Sequence, residues 1–204
     1  MLDLRLRPAK ERLLEPVAAR LARRVGPNAL TAASLAVTLA GAGLAAAGWW
    51  IPAAIAWLTG RLADGLDGPV ARIRGEASDL GGYLDMVADT IGYAAVPLGV
   101  AFGVDTRTTW IAVAVLLATF FVNTISWSYL AAILEKNGTG AAASGEMTTI
   151  TMPAAAVEGT ETIVAFTMFL LLPQWAAGLF TAMAVLVALN VIQRIRWAKR
   201  NLPR

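Results

Sequence analysis

Four aspartates stand inside otherwise apolar stretches of this 204-residue chain: Asp64, Asp67, Asp85 and Asp89. A carboxylate near the centre of a membrane helix costs about 2.5–3.5 kcal/mol on insertion scales, so its presence there argues for a function. The spacing is also regular. Asp64 and Asp67 are three residues apart and Asp85 and Asp89 four apart, so each pair shares one face of a helix. Carboxylates crowded together repel one another and must either take up protons or enclose a cation. The chain has neither Cys nor His, so a metal here is held by oxygen, which favours a hard ion such as Mg²⁺ or Mn²⁺. Two such ions bridged by shared carboxylates form a clamp for phosphoryl chemistry. The plainer alternative is a set of protonated or salt-bridged acids that only pack helices together.

The elements that must position these acids are membrane helices. Apolar residues make up 57% of the chain and charged ones 15%, with a mean hydropathy of +0.61. A soluble domain is about half apolar and about a quarter charged. No charge occurs from Val25 to Gly60, from Thr108 to Leu134 or from Thr162 to Gln193. A bilayer core of about 30 Å needs about 20 apolar residues as helix, so each block holds at least one span. This excludes a soluble enzyme, a disordered chain, and a disulfide or zinc scaffold.

The expected spans are 29–48, 51–72, 79–103, 108–134, 154–172 and 175–193, with a Gly, Ala and Thr-rich loop over 137–152. Trp49 and Trp50 read as interfacial anchors after the first span. Residues 8–25 read as an amphipathic helix, with Leu14, Val17, Ala18, Leu21 and Val25 on one face; a solvated lead-in is the alternative. The expected fold is thus an all-α integral membrane protein with six transmembrane helices behind an N-terminal interfacial helix. It forms one domain over 1–204, with 1–27 interfacial and 28–204 the core. All Lys and Arg except Arg107 fall toward one side of this topology. That bias places both termini and the acids at the cytoplasmic face of a cell membrane, and it argues against a nucleic-acid partner despite a pI near 9.7.

A second polar group opens the fifth span, where Glu158 and Glu161 share a helix face. Arg61 lies at a similar depth in span two, and an unpaired intramembrane Arg is expensive, so Arg61 is expected to pair with Glu161 or Glu158. Those two acids either form a structural pair or shape an acceptor pocket. Asn123, Ser126 and Ser128 on span four either line the same cavity or bond between helices.

The run Asp64-Gly-Leu-Asp67-Gly68-Pro-Val-Ala71-Arg72, eight residues, then Gly81-Gly-Tyr-Leu-Asp85-Met-Val-Ala-Asp89 resembles the signature of the CDP-alcohol phosphotransferase (CDP-alcohol phosphatidyltransferase) family. All eight specified positions match. The resemblance implies a membrane transferase that moves a phosphate-linked group from a CDP-alcohol, often CDP-diacylglycerol, to a second alcohol and releases CMP. It implies that Asp64 and Asp85 bridge two ions, Mg²⁺ or Mn²⁺, that Asp67 completes one site and Asp89 the other, and that Asp89 is the general base. It implies that Gly68, Ala71, Arg72, Ser78 and Gly81 contact the CDP part. Asn28 and Thr31 resemble the family's nucleotide contacts at the entry to span one, although both also suit a helix N-cap. Members are often homodimers in membrane lipid, with a role in phospholipid biosynthesis.

The acceptor stays open. Inositol-phosphate-using members tend to carry Arg where Asp79 stands, and glycerol-phosphate-using members often carry Lys where Gly82 stands. The run from Ala88 to Pro97 looks loosely like the serine-using branch, while Arg74 or Lys136 offers a phosphate site and Glu158 and Glu161 an acceptor pocket. A cation- or proton-coupled transporter is the rival from another class; it predicts inverted repeats and acids at the midplane. The chain has no internal repeat, and its acids lie toward one face.

Overall fold

The structure is a computed structural model that describes residues 14–138 and 159–202. Among these residues all regular structure is helical. Helix α1 covers 14–21. It is followed by α2 (Pro27–Ala46), α3 (Trp50–Arg74), α4 (Asp79–Val104), α5 (Arg107–Lys136), α6 (Gly159–Leu171) and α7 (Ala176–Asn201), with a 3₁₀ turn at Pro173–Trp175 before α7.

Helix α2 carries no charge and few large side chains, which is what lets other helices approach it closely. Helices α3 and α4 each pack on α2 far more than on each other. A Cβ on Gly60 of α3 would strike Thr38 Oγ1, and Cβ atoms on Gly99 and Gly103 of α4 would run into the carbonyl oxygens of Ala42 and Ala45. Backbone against backbone is an approach that glycine alone permits, and small residues are the usual means of joining helices in lipid. The preference for small residues in span one thus has a concrete use.

The second half of the bundle is built on larger side chains. Helix α5 packs on α7, and α6 lies against α3. Trp57, Phe166, Phe169 and Phe180 are fully buried where these helices meet. Trp57 stacks on Phe166 at 5.1 Å, and Phe169 meets Phe180 edge-on at 4.8 Å, both favourable aromatic geometries. The outward faces are apolar as well. Ile51, Ile55, Leu58 and Leu62 form an exposed stripe along α3, as lipid contact requires.

Helices α2, α4, α5 and the segment Pro173–Asn201 are each long and apolar enough to cross a membrane. Helix α3 has the length, at 25 residues, but Arg61, Asp64 and Asp67 dilute its apolar character. The described part of α6 is 13 residues.

Three expectations shift. The last span, expected over 175–193 ahead of a basic tail, belongs to a helix that runs on through that basic segment to Asn201. Nothing between 194 and 201 breaks a helix, and Lys199 and Arg200 suit the negative end of its dipole. It stops where Leu202 turns extended ahead of Pro203. Trp49 is exposed, as an anchor should be, but Trp50 packs inward beside Gly103. Helix α1 and the turn after it bury Ala18 and Ala22 against Leu30, Leu66 and Val70, with Leu14, Leu21 and Val25 around them. Val17, expected on that face, is exposed.

Candidate active site: an acidic cleft between two helices

A tight connection sets the two acid-bearing helix ends side by side. Gly75 closes α3 in the left-handed region at φ 67°, a conformation that costs glycine nothing. Ser78 Oγ then accepts the Gly81 N–H at 3.2 Å and caps α4. The chain reverses in a few residues, so Asp64 and Asp67 on α3 face Asp85 and Asp89 on α4.

One carboxylate oxygen from each of Asp64, Asp67 and Asp85 lies within 4.8 Å of the other two. Opposite oxygens around an octahedral Mg²⁺ stand about 4.2 Å apart, twice a bond of about 2.1 Å. The three carboxylates therefore fit one divalent ion after a small closure. Asp67 is held from both sides: Thr31 Oγ1 donates to Oδ2 at 2.6 Å and the Gly68 N–H donates to Oδ1 at 2.6 Å. Thr31 is buried, and its link to Asp67 fixes α2 to the cluster.

Asp89 is engaged differently. Arg61 Nη1 donates to Asp89 Oδ1 at 2.5 Å and lies 3.5 Å from Asp64 Oδ2. Arg61 is 8% exposed, and its guanidinium lies 4.9 Å from the Trp57 ring and 5.9 Å from that of Tyr93. Among the described residues the ion pairs of Arg61 go to the motif acids and not to Glu161, which corrects that half of the expectation. Asp64 is one turn away on the same helix, and Asp89 faces it across the cleft. Glu161 lies in the first turn of α6, which packs on α3; Glu158 lies outside the described residues.

The other expected contacts divide into two small groups. Asn28 Oδ1 and Ser78 Oγ stand 3.6 and 3.4 Å from where a Cβ on Gly81 would be, so these three residues meet at the start of α4. Arg72 Nη1 lies 3.6 Å from where a Cβ on Gly68 would be, one turn beyond Asp67, and Ala71 is on the same turn. Neither Asn28 nor Thr31 caps α2; its N-cap is Gly26, with no side-chain hydrogen bond.

Arg74 is committed elsewhere. Its Nη1 donates to the Ala22 carbonyl at 2.6 Å and its Nε to Glu76 at 2.9 Å. The bond from Arg74 holds the Glu76 carboxyl below its usual range. Asn123 Oδ1 and Ser126 Oγ accept from Arg194 Nη1 at 3.0 and 3.3 Å, so they join α5 to α7. Ser128 bonds back to the Thr124 carbonyl. Sequence reasoning missed the Thr31–Asp67 and Arg61–Asp89 bonds. A signal for the second was present, since a buried Arg three residues before Asp64 shares its helix face.

A family model described as CDP-alcohol phosphatidyltransferase matches residues 24–192. This chain belongs to that family. It is therefore an enzyme, a membrane transferase of phospholipid biosynthesis, as the motif resemblance implied. It is 31% identical over 196 residues to the inner membrane protein YnjF of Escherichia coli, covering 96% of this chain and 94% of that one. It is 29% identical over 211 residues to the archaetidylinositol phosphate synthase of Pyrococcus horikoshii, covering 97% of each. Among solved structures, the phosphatidylinositol phosphate synthase of Mycobacterium tuberculosis with CDP-DAG bound superposes with a TM-score of 0.70 at 25% identity, covering 91% of this chain and 92% of that one. The same synthase in complex with manganese and citrate gives 0.68 at 23% identity, covering 90% and 87%.

Proposed function

We propose that this enzyme transfers the phosphatidyl group of CDP-diacylglycerol, or a similar CDP-alcohol, to the hydroxyl of a small alcohol and releases CMP. The observation that carries this reading is the convergence of Asp64, Asp67 and Asp85, with Asp89 beside them, within the family signature. When bound by Asp64, Asp67 and Asp85, a divalent ion, Mg²⁺ or Mn²⁺, supplies the positive charge that polarises the pyrophosphate. Asp89 takes the proton from the acceptor hydroxyl through the oxygen that Arg61 leaves free, and the acceptor oxygen displaces CMP at the β-phosphorus. Arg72 pairs with pyrophosphate oxygens, which its planar fork suits. Asn28, Thr31, Gly68, Ala71, Ser78 and Gly81 surround the CDP part, where the glycines admit it close to the backbone.

The chain forms one domain of six spans, α2 to α7, with α1 at the cytoplasmic interface. The charge bias of the sequence supports that orientation. It puts the acids within reach of cytosolic CDP-alcohol headgroups while acyl chains stay in lipid. The acceptor is a small polar alcohol. Two relatives are named for inositol phosphate lipids, which favours a phosphorylated polyol. Asp79 and Gly82 weigh toward an acceptor without a phosphate, such as serine, because each stands where phosphate-using branches tend to carry a cation.

Purified protein incubated with CDP-diacylglycerol, Mg²⁺ and a panel of serine, glycerol 3-phosphate, inositol and inositol phosphate tests the reading. CMP release with one acceptor, and a lipid product of matching mass, is expected. No CMP with any of them, beside an active control enzyme, would overturn it.

A further inference from the structure

We propose that this enzyme binds one divalent ion per chain, and that Arg61 stands in for a second ion as the fixed cation between Asp64 and Asp89. The inference rests on the metal-dependent reading above and concerns how the four acids are neutralised. The motif resemblance implies a second ion shared by Asp64, Asp85 and Asp89. In the structure, Arg61 Nη1 occupies the space between two of those carboxylates, reaching Asp89 Oδ1 at 2.5 Å and Asp64 Oδ2 at 3.5 Å. The remaining acids, Asp67 and Asp85, converge with Asp64 on a different point.

Arg61 is built to stay there. It is 8% exposed, and it lies over Trp57, which is itself locked against Phe166. The Tyr93 ring lies beside it as well, its centre 5.9 Å from the guanidinium carbon. Among the described residues its buried Nε has no hydrogen-bond partner, and the guanidinium is kept in place there by its acids and the aromatic rings. A divalent ion on the same two carboxylates would meet a positive charge at near-contact distance and would have to displace it from a buried site. A guanidinium on Asp89 does part of what a metal would do: it fixes the carboxylate and lowers local repulsion, while leaving Oδ2 open. Arg61 is thus a positioning residue that acts through Asp89.

The test counts ions. The full chain is purified in detergent, stripped by chelation and titrated with Mn²⁺, with bound metal measured by elemental analysis and by electron paramagnetic resonance. The count is repeated with saturating CDP. One Mn²⁺ per chain with an uncoupled six-line spectrum is expected for the wild type and for Arg61→Lys, which keeps the cation. Arg61→Gln is expected to take up two, with a spin-coupled spectrum. Asp89→Asn should still hold one. Two coupled ions in the wild type would overturn the proposal, as would a single ion in folded Arg61→Gln or loss of the ion in Asp89→Asn. Should Arg61→Gln fail to fold, the wild-type and Arg61→Lys counts decide alone. No bound Mn²⁺ in the wild type sinks the metal reading itself, an outcome distinct from a count of two.

Discussion

Removing the Thr31 hydroxyl should weaken metal binding more than it weakens the fold. Thr31→Val keeps the shape of the side chain and deletes one bond, the 2.6 Å donation to Asp67 Oδ2. The hydroxyl also lies 3.2 Å from the Pro27 carbonyl, but it has one proton, and the shorter bond to a carboxylate is the stronger use of it. A hydrogen bond to a charged group contributes about 1.5–3 kcal/mol. At about 1.4 kcal/mol per tenfold, its loss corresponds to roughly 10- to 150-fold in the binding of an ion that needs Asp67 in this orientation. Loss of such supporting partners elsewhere costs metal affinity about 10- to 100-fold. Isothermal titration of the stripped protein with Mn²⁺ measures the change directly, and the Mn²⁺ dependence of CMP release should move in parallel. Thr31→Ser, which keeps the donor, should stay close to wild type. Unchanged Mn²⁺ affinity in Thr31→Val would refute the argument. If affinity for CDP fell while Mn²⁺ affinity stayed unchanged, Thr31 would serve the nucleotide alone and not also support Asp67.

Three other outcomes follow from the geometry. Asp89→Asn should cut CMP release by roughly 10²- to 10⁴-fold, the usual contribution of a general base, with CDP binding retained; turnover within tenfold of wild type would remove Asp89 from that role. Gly99→Ala should lower the thermal unfolding temperature in detergent, because its Cβ collides with the Ala42 carbonyl and overpacking costs about 1–3 kcal/mol. Gly43→Ala, with nothing within 4 Å, is the matched control, and equal melting of the two would contradict the packing described. Glu76 has a lowered pKa through Arg74, so its contribution is present at neutral pH and is lost as pH falls through that lowered value. Hydrogen exchange in residues 14–24, corrected for intrinsic rates, should accelerate below the ordinary Glu value of 4.5, and Arg74→Ala should show the same acceleration at pH 7.

The acids were legible because lipid makes charge costly. A carboxylate in an apolar run declares itself, and the three- and four-residue spacings gave the shared faces that α3 and α4 present. The ends of α3, α4 and α5 followed from where charge resumes, and the breaks after α2 and α6 from Trp49 and Pro173 within uncharged stretches; the end of α7 did not follow from charge. There the basic tail looked like an end, yet a cationic helix terminus is stable past the apolar run. What one-dimensional pattern could not supply was partner choice. Arg61 needed an anion, and matching depth in the membrane pointed to Glu161 or Glu158 and not to the motif acids beside it. Arg74 likewise looked free to meet a phosphate, until the fold brought the Ala22 carbonyl and Glu76 to it.

The least chemical helix does the most to build the site. Helix α2 has no charged residue, and α3 and α4 touch each other little, so the separation of the two acid pairs is set by what α2 allows on either side. On one side Ser34 Oγ donates to the Gly60 carbonyl at 3.0 Å, four residues before Asp64. On the other, Gly92, Gly99 and Gly103 run along Thr38, Ala42 and Ala45, beginning just after Asp89. Thr31 completes the arrangement by reaching Asp67 directly. A strut of this kind fixes spacing through backbone contact, which changes less than side-chain packing does. Acids that must share a cation tolerate errors of only a few tenths of an ångström in metal–oxygen distance. The small residues of α2 and α4 therefore belong to the chemistry as much as the aspartates do, through the distance they enforce.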